Sequence, residues 1–201
     1  MSSSPDGGPT TPRGKVIVIS GPSGAGKTSI CNALLAQLTD AVWSVSTTTR
    51  PMRPGDVEGV TYDFVTEEEF VAQEQAGEFI ESAEYVGNRY GTPRRRVEEV
   101  LSRGKSIVLE IDVQGGMQIA ERMPESIRIF VLPPGTNVLR GRLEGRKTEA
   151  QDQLTKRLAR ADGEIALARQ SGCYTHFVVN DVLDDTVQEV RRIIEGKAGK
   201  T

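Results

Sequence analysis

Residues 15–38 constrain this chain more than any other stretch. Lys15-Val-Ile-Val-Ile-Ser20 is a short β-branched run of the kind buried in parallel sheets. A turn of Gly21, Pro22, Ser23, Gly24, Ala25, Gly26, Lys27 and Thr28 follows, and then Ile30, Ala33, Leu34 and Leu38 recur at helical spacing. The turn fits G-x-x-x-x-G-K-[ST] in full, with a strand before it and an amphipathic helix after it. Its glycines allow successive N–H groups to face inward as an anion nest, to which the new helix adds its positive end. In this setting Lys27 reaches the β- and γ-phosphates of a nucleoside triphosphate, and the Thr28 hydroxyl sits on Mg²⁺. The loop leaves the acceptor open: water, a protein hydroxyl, a small metabolite and a nucleoside monophosphate all remain.

The rest of the chain alternates in the same way. Ser106–Val113 and Ile127–Leu132 are two more buried-type strands, and Phe177–Asn180 is a last short one. Helices are expected over Pro93–Ser102, from a Thr148/Gln151 capping box toward Gln170, and over Leu183–Gly196. Strands alternating with helices predict an α/β fold whose parallel sheet is covered on both faces. Trp43–Thr92 is less regular, with short helical or strand-like pieces among Gly and Pro turns. Residues 1–13, rich in Ser, Pro, Gly and Thr, are expected to be a disordered tail ahead of one domain over 14–201.

With 25 Lys plus Arg against 28 Asp plus Glu, the net charge of −3 argues against a nucleic-acid or acidic-membrane binder. Cys31 and Cys173 form no CxxC pair, so neither a disulfide framework nor a metal cluster is expected. No apolar run approaches the length of a membrane span, and the first residues lack the apolar h-region expected of a signal peptide. A cytoplasmic protein is the expectation.

Two polar regions carry the acceptor question. Val45-Ser-Thr-Thr-Thr-Arg-Pro-Met-Arg53 sets hydroxyls beside Arg50 and Arg53, with Tyr62 and Tyr90 downstream. Guanidinium forks and tyrosine hydroxyls suit a second, separate phosphate. Glu110 and Asp112 lie two apart in SIVLEIDV, which on a strand turns both to one face near its carboxyl end, where ligands of open α/β sheets bind.

The succession SVSTTTRPMRPGDVEGVTYDFV, FIE, YGT, LEIDVQGG and RLEGR resembles the guanylate kinase family in order and spacing, over about residues 14–196. The resemblance implies a P-loop kinase fold with a mobile GMP-binding region at about 46–92 and a lid at about 139–157. It implies Mg²⁺-dependent phosphoryl transfer from ATP to GMP. Arg50, Arg53, Tyr62 and Tyr90 would anchor the GMP phosphate, and Ser46, Glu81 and Thr92 would read guanine. Glu110 and Asp112 would face the acceptor and the hydrated Mg²⁺. Arg142, Arg146 and Arg157 look like the lid arginines that work with Lys27 on the moving phosphoryl group. Arg146 would also touch ATP, and Asn180 would lie near its adenine.

The guanine assignment also makes chemical sense. Guanine offers N1–H and N2–H₂ on one edge, and a carboxylate such as Glu81 accepts from both; adenine would leave that carboxylate unpaired. Arg160 and Glu164, four apart, are expected to form an ordinary solvated pair. Arg89 and Lys147 depart from the family pattern without removing a named functional group. Two rival readings are a non-catalytic phosphoprotein-binding module and a kinase for another monophosphate. Intact Lys27 and Thr28 disfavour the first; Ser46 and Glu81 disfavour the second.

Overall fold

A five-stranded parallel sheet runs through the middle of the computed structural model, which describes residues 14–144 and 151–197, with backbone only over 151–153. Its strands are β1 (Val16–Ser20), β2 (Ala41–Trp43), β7 (Ser106–Glu110), β8 (Ile127–Leu132) and β9 (His176–Val179), in the spatial order β2-β7-β1-β8-β9. Alternation along β1 divides the core. Val16 and Val18 face one apolar cluster, and Ile17 and Ile19 the other. The first cluster is covered by α3 (Arg94–Ser102), α4 (Val113–Arg122) and α6 (Gln151–Ser171), the second by α1 (Lys27–Leu35) and α7 (Leu183–Ile194). A smaller cluster joins α5 (Thr136–Glu144) to α6 through Leu139, Leu143, Leu154 and Ala161.

The irregular region resolves into a second sheet. Strands β3 (Ser46–Thr48), β4 (Tyr62–Phe64), β5 (Phe79–Tyr85) and β6 (Asn88–Pro93) lie in the order β4-β3-β6-β5. β5 and β6 form an antiparallel hairpin that sets Glu81 directly across from Thr92. Helix α2 (Glu67–Gln75) begins at a Thr66/Glu69 capping box, and its Phe70 stacks on Phe79, ring centroids 4.6 Å apart.

Two expectations need correction. The strand expected over Ser106–Val113 stops at Glu110; Asp112 instead caps α4, accepting from the Gly115 N–H at 2.9 Å. Glu110 and Asp112 still meet, but through a strand end and a helix start rather than strand alternation. The helix expected from Pro93 begins at Arg94, with Pro93 as its cap, and Gly104 ends the turn at φ 71°. The tail 1–13, Arg146, Lys147 and the Thr148 end of the capping box lie outside the described residues. No helix among the described residues is long and apolar enough to cross a membrane.

Candidate active site

Beyond the carboxyl ends of β1 and β7 lies a cavity of about 320 Å³. Gly21, Ser23, Gly24, Gly26, Lys27 and Thr28 form one wall. Two left-handed glycines shape the loop, Gly24 at φ 86° and Gly26 at φ 94°. A Cβ on Gly26 would sit 2.2 Å from the Asn180 amide nitrogen, so only glycine fits. Asn180 is buried and donates from Nδ2 to the carbonyl of Ala25 (2.7 Å), while its Oδ1 accepts from Thr186 (3.3 Å). Asn180 therefore braces the loop from behind and is not part of the cavity wall. The Lys27 ammonium folds back over the loop, donating to the carbonyls of Gly21 (2.7 Å) and Pro22 (3.2 Å).

The Thr28 hydroxyl donates to Glu110 Oε1 at 2.9 Å, and Glu110 and Asp112 line the same cavity. Hydroxyl and carboxylate oxygens are the hard donors that Mg²⁺ takes, usually one or two beside phosphate oxygens. Among the described residues no cluster of three or more acidic, His or Cys side chains forms a cage of its own. The donor set fits a magnesium held jointly with nucleotide phosphates.

The opposite wall comes from the second sheet: Ser46, Tyr62, Glu81, Ala83, Tyr85 and Tyr90. Glu81 is 3% exposed, and fully buried Thr92 donates to its Oε1 at 2.5 Å. Burial, reinforced by Asp112, pushes the Glu81 carboxyl up to about 7, against the opposing pull of the Thr92 hydrogen bond. Helix α4 makes room for it, because Gly115 has no side chain; a Cβ there would meet Glu81 Oε2 at 2.3 Å. The same helix holds β5 through Gln118, which donates to the carbonyl of Ser82 (2.7 Å), and through Arg122, which donates to that of Ile80.

Arg50 is 7% exposed, with its guanidinium 5.2 Å from the Tyr62 ring centroid and its Nη1 donating to Asp56 at 2.9 Å. Tyr62 and Tyr90 pack edge to face at 5.8 Å. Burial raises the Tyr62 phenol to about 12, so it stays a neutral donor. Arg53 is exposed and outside the cavity wall; its backbone N–H donates to Asp56 Oδ2 at 2.7 Å.

Of the three expected lid arginines, Arg157 reaches the loop and Arg142 reaches Asn180, which braces it. Arg142 Nη2 donates to the Asn180 carbonyl (3.0 Å), and its buried Nη1 has no hydrogen-bond partner among the described residues. A buried, unpartnered guanidinium nitrogen beside a phosphate loop suits an anionic oxygen. Arg157 Nη2 donates to Ser23 Oγ at 2.9 Å. Arg146 lies outside the described residues.

Three groups escaped the sequence reading. Asp56 anchors both Arg50 and the Arg53 turn; an aspartate closing an Arg-Pro-Gly turn beside two arginines was the available signal. The Arg160–Glu164 pair exists at 3.0 Å but is not merely solvated. The Glu164 side chain is only 11% exposed, and the Arg160 guanidinium lies 3.9 Å from the centroid of Tyr85, a residue no sequence signal marked.

Comparison with known proteins agrees with this geometry. The guanylate kinase family model matches residues 13–197. A curated guanylate kinase of Symbiobacterium thermophilum is 45% identical over 96% of this chain and 90% of its own length. One of Halalkalibacterium halodurans is 43% identical, covering 90% and 88%. The crystal structure of guanylate kinase from Anaplasma phagocytophilum superposes with a TM-score of 0.75 at 35% identity, covering 94% of this chain and 88% of that one. Matched over nearly its whole length in both sequence and shape, this chain belongs to the guanylate kinase family.

Proposed function

We propose that this cavity carries out the family's reaction, ATP plus GMP to ADP plus GDP, with the residues in the following roles. The observation that carries the reading is buried Glu81, held from behind by the Thr92 hydroxyl, which lines the same cavity as the phosphate loop. Ionised Glu81, oriented by the hydroxyl that Thr92 donates to it, accepts both guanine donors, and Ser46 supplies a hydroxyl toward O6. Arg50, held by Asp56, and the hydroxyls of Tyr62 and Tyr90 take the acceptor phosphate, with Arg53 joining from the exposed turn. The acceptor oxygen is thereby aimed at the donor phosphate, which removes most of the entropic part of the barrier.

The loop amides and Lys27 hold the donor β- and γ-phosphates. Lys27, Arg142, Arg146 and Arg157 stabilise charge on the equatorial oxygens as the phosphoryl group moves in line, without a covalent intermediate. Thr28 and Asp112, with Glu110, would hold Mg²⁺, which would supply positive charge against that of the nucleotide phosphates. Two free cysteines and a nucleotide substrate pair suit the cytoplasm.

Glu81→Gln tests the reading. It keeps the shape but adds a donor where guanine needs an acceptor, so the KM for GMP should rise on the order of a hundredfold. The KM for ATP should hardly change. Equal damage to both substrates would make Glu81 a structural residue and remove the guanine assignment.

A further inference from the structure

Glu81, Ala83 and Tyr85 alternate along β5 and all face the cavity, so Tyr85 lies at the outer end of the stripe that begins with the guanine-reading carboxylate. Arg157, Arg160 and Glu164 follow at i, i+3 and i+7 on α6 and share one helix face. That face meets both walls at once. Arg157 donates to Ser23 in the phosphate loop, and Arg160 covers the Tyr85 ring at 3.9 Å while paired to the largely buried Glu164. A guanidinium over an aromatic face in a partly desolvated setting attracts strongly and is tolerant of sliding, which suits a contact between bodies that move. Among the described residues Arg160 is not part of the cavity wall, and its contacts are with Tyr85 and Glu164.

We propose that Tyr85 and Arg160 are a clasp between the acceptor sheet and α6, so that seating GMP against Glu81 positions Arg157 at the donor phosphates. The inference rests on the acceptor assignment above. Both are positioning residues: they act through β5 and through Arg157, and neither touches the transferring group. Tyr85 supplies the ring. Glu164 orients Arg160 over that ring.

The test is a double-mutant cycle on the full chain with Tyr85→Leu, Arg160→Gln and the double variant, plus Tyr85→Phe, which keeps the ring. Each single variant should lower kcat/KM for GMP roughly fivefold, the worth of one such contact. The double variant should be no worse than the poorer single one, and Tyr85→Phe should keep the coupling to Arg160. A GMP-side defect from Arg160→Gln, a change on α6 outside the cavity wall, is what a merely local structural role would not produce. Losses that multiply in the double variant, an Arg160→Gln defect confined to the KM for ATP, or Tyr85→Phe as impaired as Tyr85→Leu would each overturn the clasp. A wild-type protein that makes no ADP with GMP would instead refute the acceptor assignment. The clasp is then read from urea unfolding of the same four proteins without ligand, where additive changes in stability would overturn it and a coupled change would support it.

Discussion

Glu81 faces two opposite demands, because its burial favours the protonated acid while guanine needs the anion. Its carboxyl sits near 7 in the folded protein against 4.5 in the open chain. The folded state therefore holds this proton more tightly than the unfolded one. Between pH 4.5 and about 7 the group's contribution to stability rises as pH falls, and above 7 the full burial cost remains. GMP binding runs the other way, since protonation removes the acceptor. The KM for GMP should climb as pH drops below about 7 while the KM for ATP stays level, and ligand-free stability should improve over the same range. Both trends should vanish in Glu81→Gln; steady-state kinetics and urea melts across pH 5–8 check them, and a GMP affinity flat with pH would contradict the assignment. Lys27 gives a cleaner case. Its present partners are two loop carbonyls, which a phosphate oxygen would replace with a stronger charge-assisted bond. Lys27→Ala should lower kcat by on the order of 10²–10³, with an unfolding free energy changed by about 0.5 kcal/mol or less. Near-normal turnover would show that this loop is not the catalytic phosphate site.

At the scale of elements, α4 is the hinge of the site's construction. It starts at Asp112, leaves a gap at Gly115 for Glu81, and grips β5 through Gln118 and Arg122. Gly115→Ala should push against the end of the Glu81 side chain rather than against backbone. The expected result is a folded protein whose KM for GMP rises about tenfold or more, the cost of misplacing one reading group, with the ATP side spared. A variant with unaltered GMP kinetics would mean that Glu81 does not need its present position. The helix was invisible in the sequence for the same reason that it works. Gly115-Gly116 weakens helix propensity in its first turns, and both glycines answer tertiary contacts, Gly115 with Glu81 and Gly116 with the Tyr174 hydroxyl. The β5–β6 hairpin was hidden too. Its turn falls on Val86-Gly87, with Val86 at φ 52°, instead of on an Asn-Gly pair. By contrast β1, β8 and α7 were legible because apolar runs and helical periodicity there are set by the core alone. That Lys27, Thr28, Glu81 and Tyr62 line one cavity was legible from motif, family resemblance and chemistry, whereas Asp56 and Tyr85 act through contacts that only folding creates.

For the molecule as a whole, the two walls belong to different sheets, and the cavity between them must open for two nucleotides and shut out water during transfer. Fluorophores at exposed Glu68 on α2 and Glu189 on α7 report the acceptor sheet against the core. Their separation should shorten when GMP binds. An unchanged distance with GMP and a non-hydrolysable ATP analogue together would rule out closure by this sheet. The central claim, that one cavity joins an ATP-type phosphate loop to a guanine-reading carboxylate, has a direct measurement: ADP formation from ATP against GMP, AMP, CMP and UMP as acceptors. The geometry predicts that kcat/KM for GMP exceeds that for AMP by roughly 10⁴-fold, because adenine leaves the buried Glu81 unpaired. Comparable rates with AMP and GMP, or ADP formation that does not depend on GMP, would contradict it.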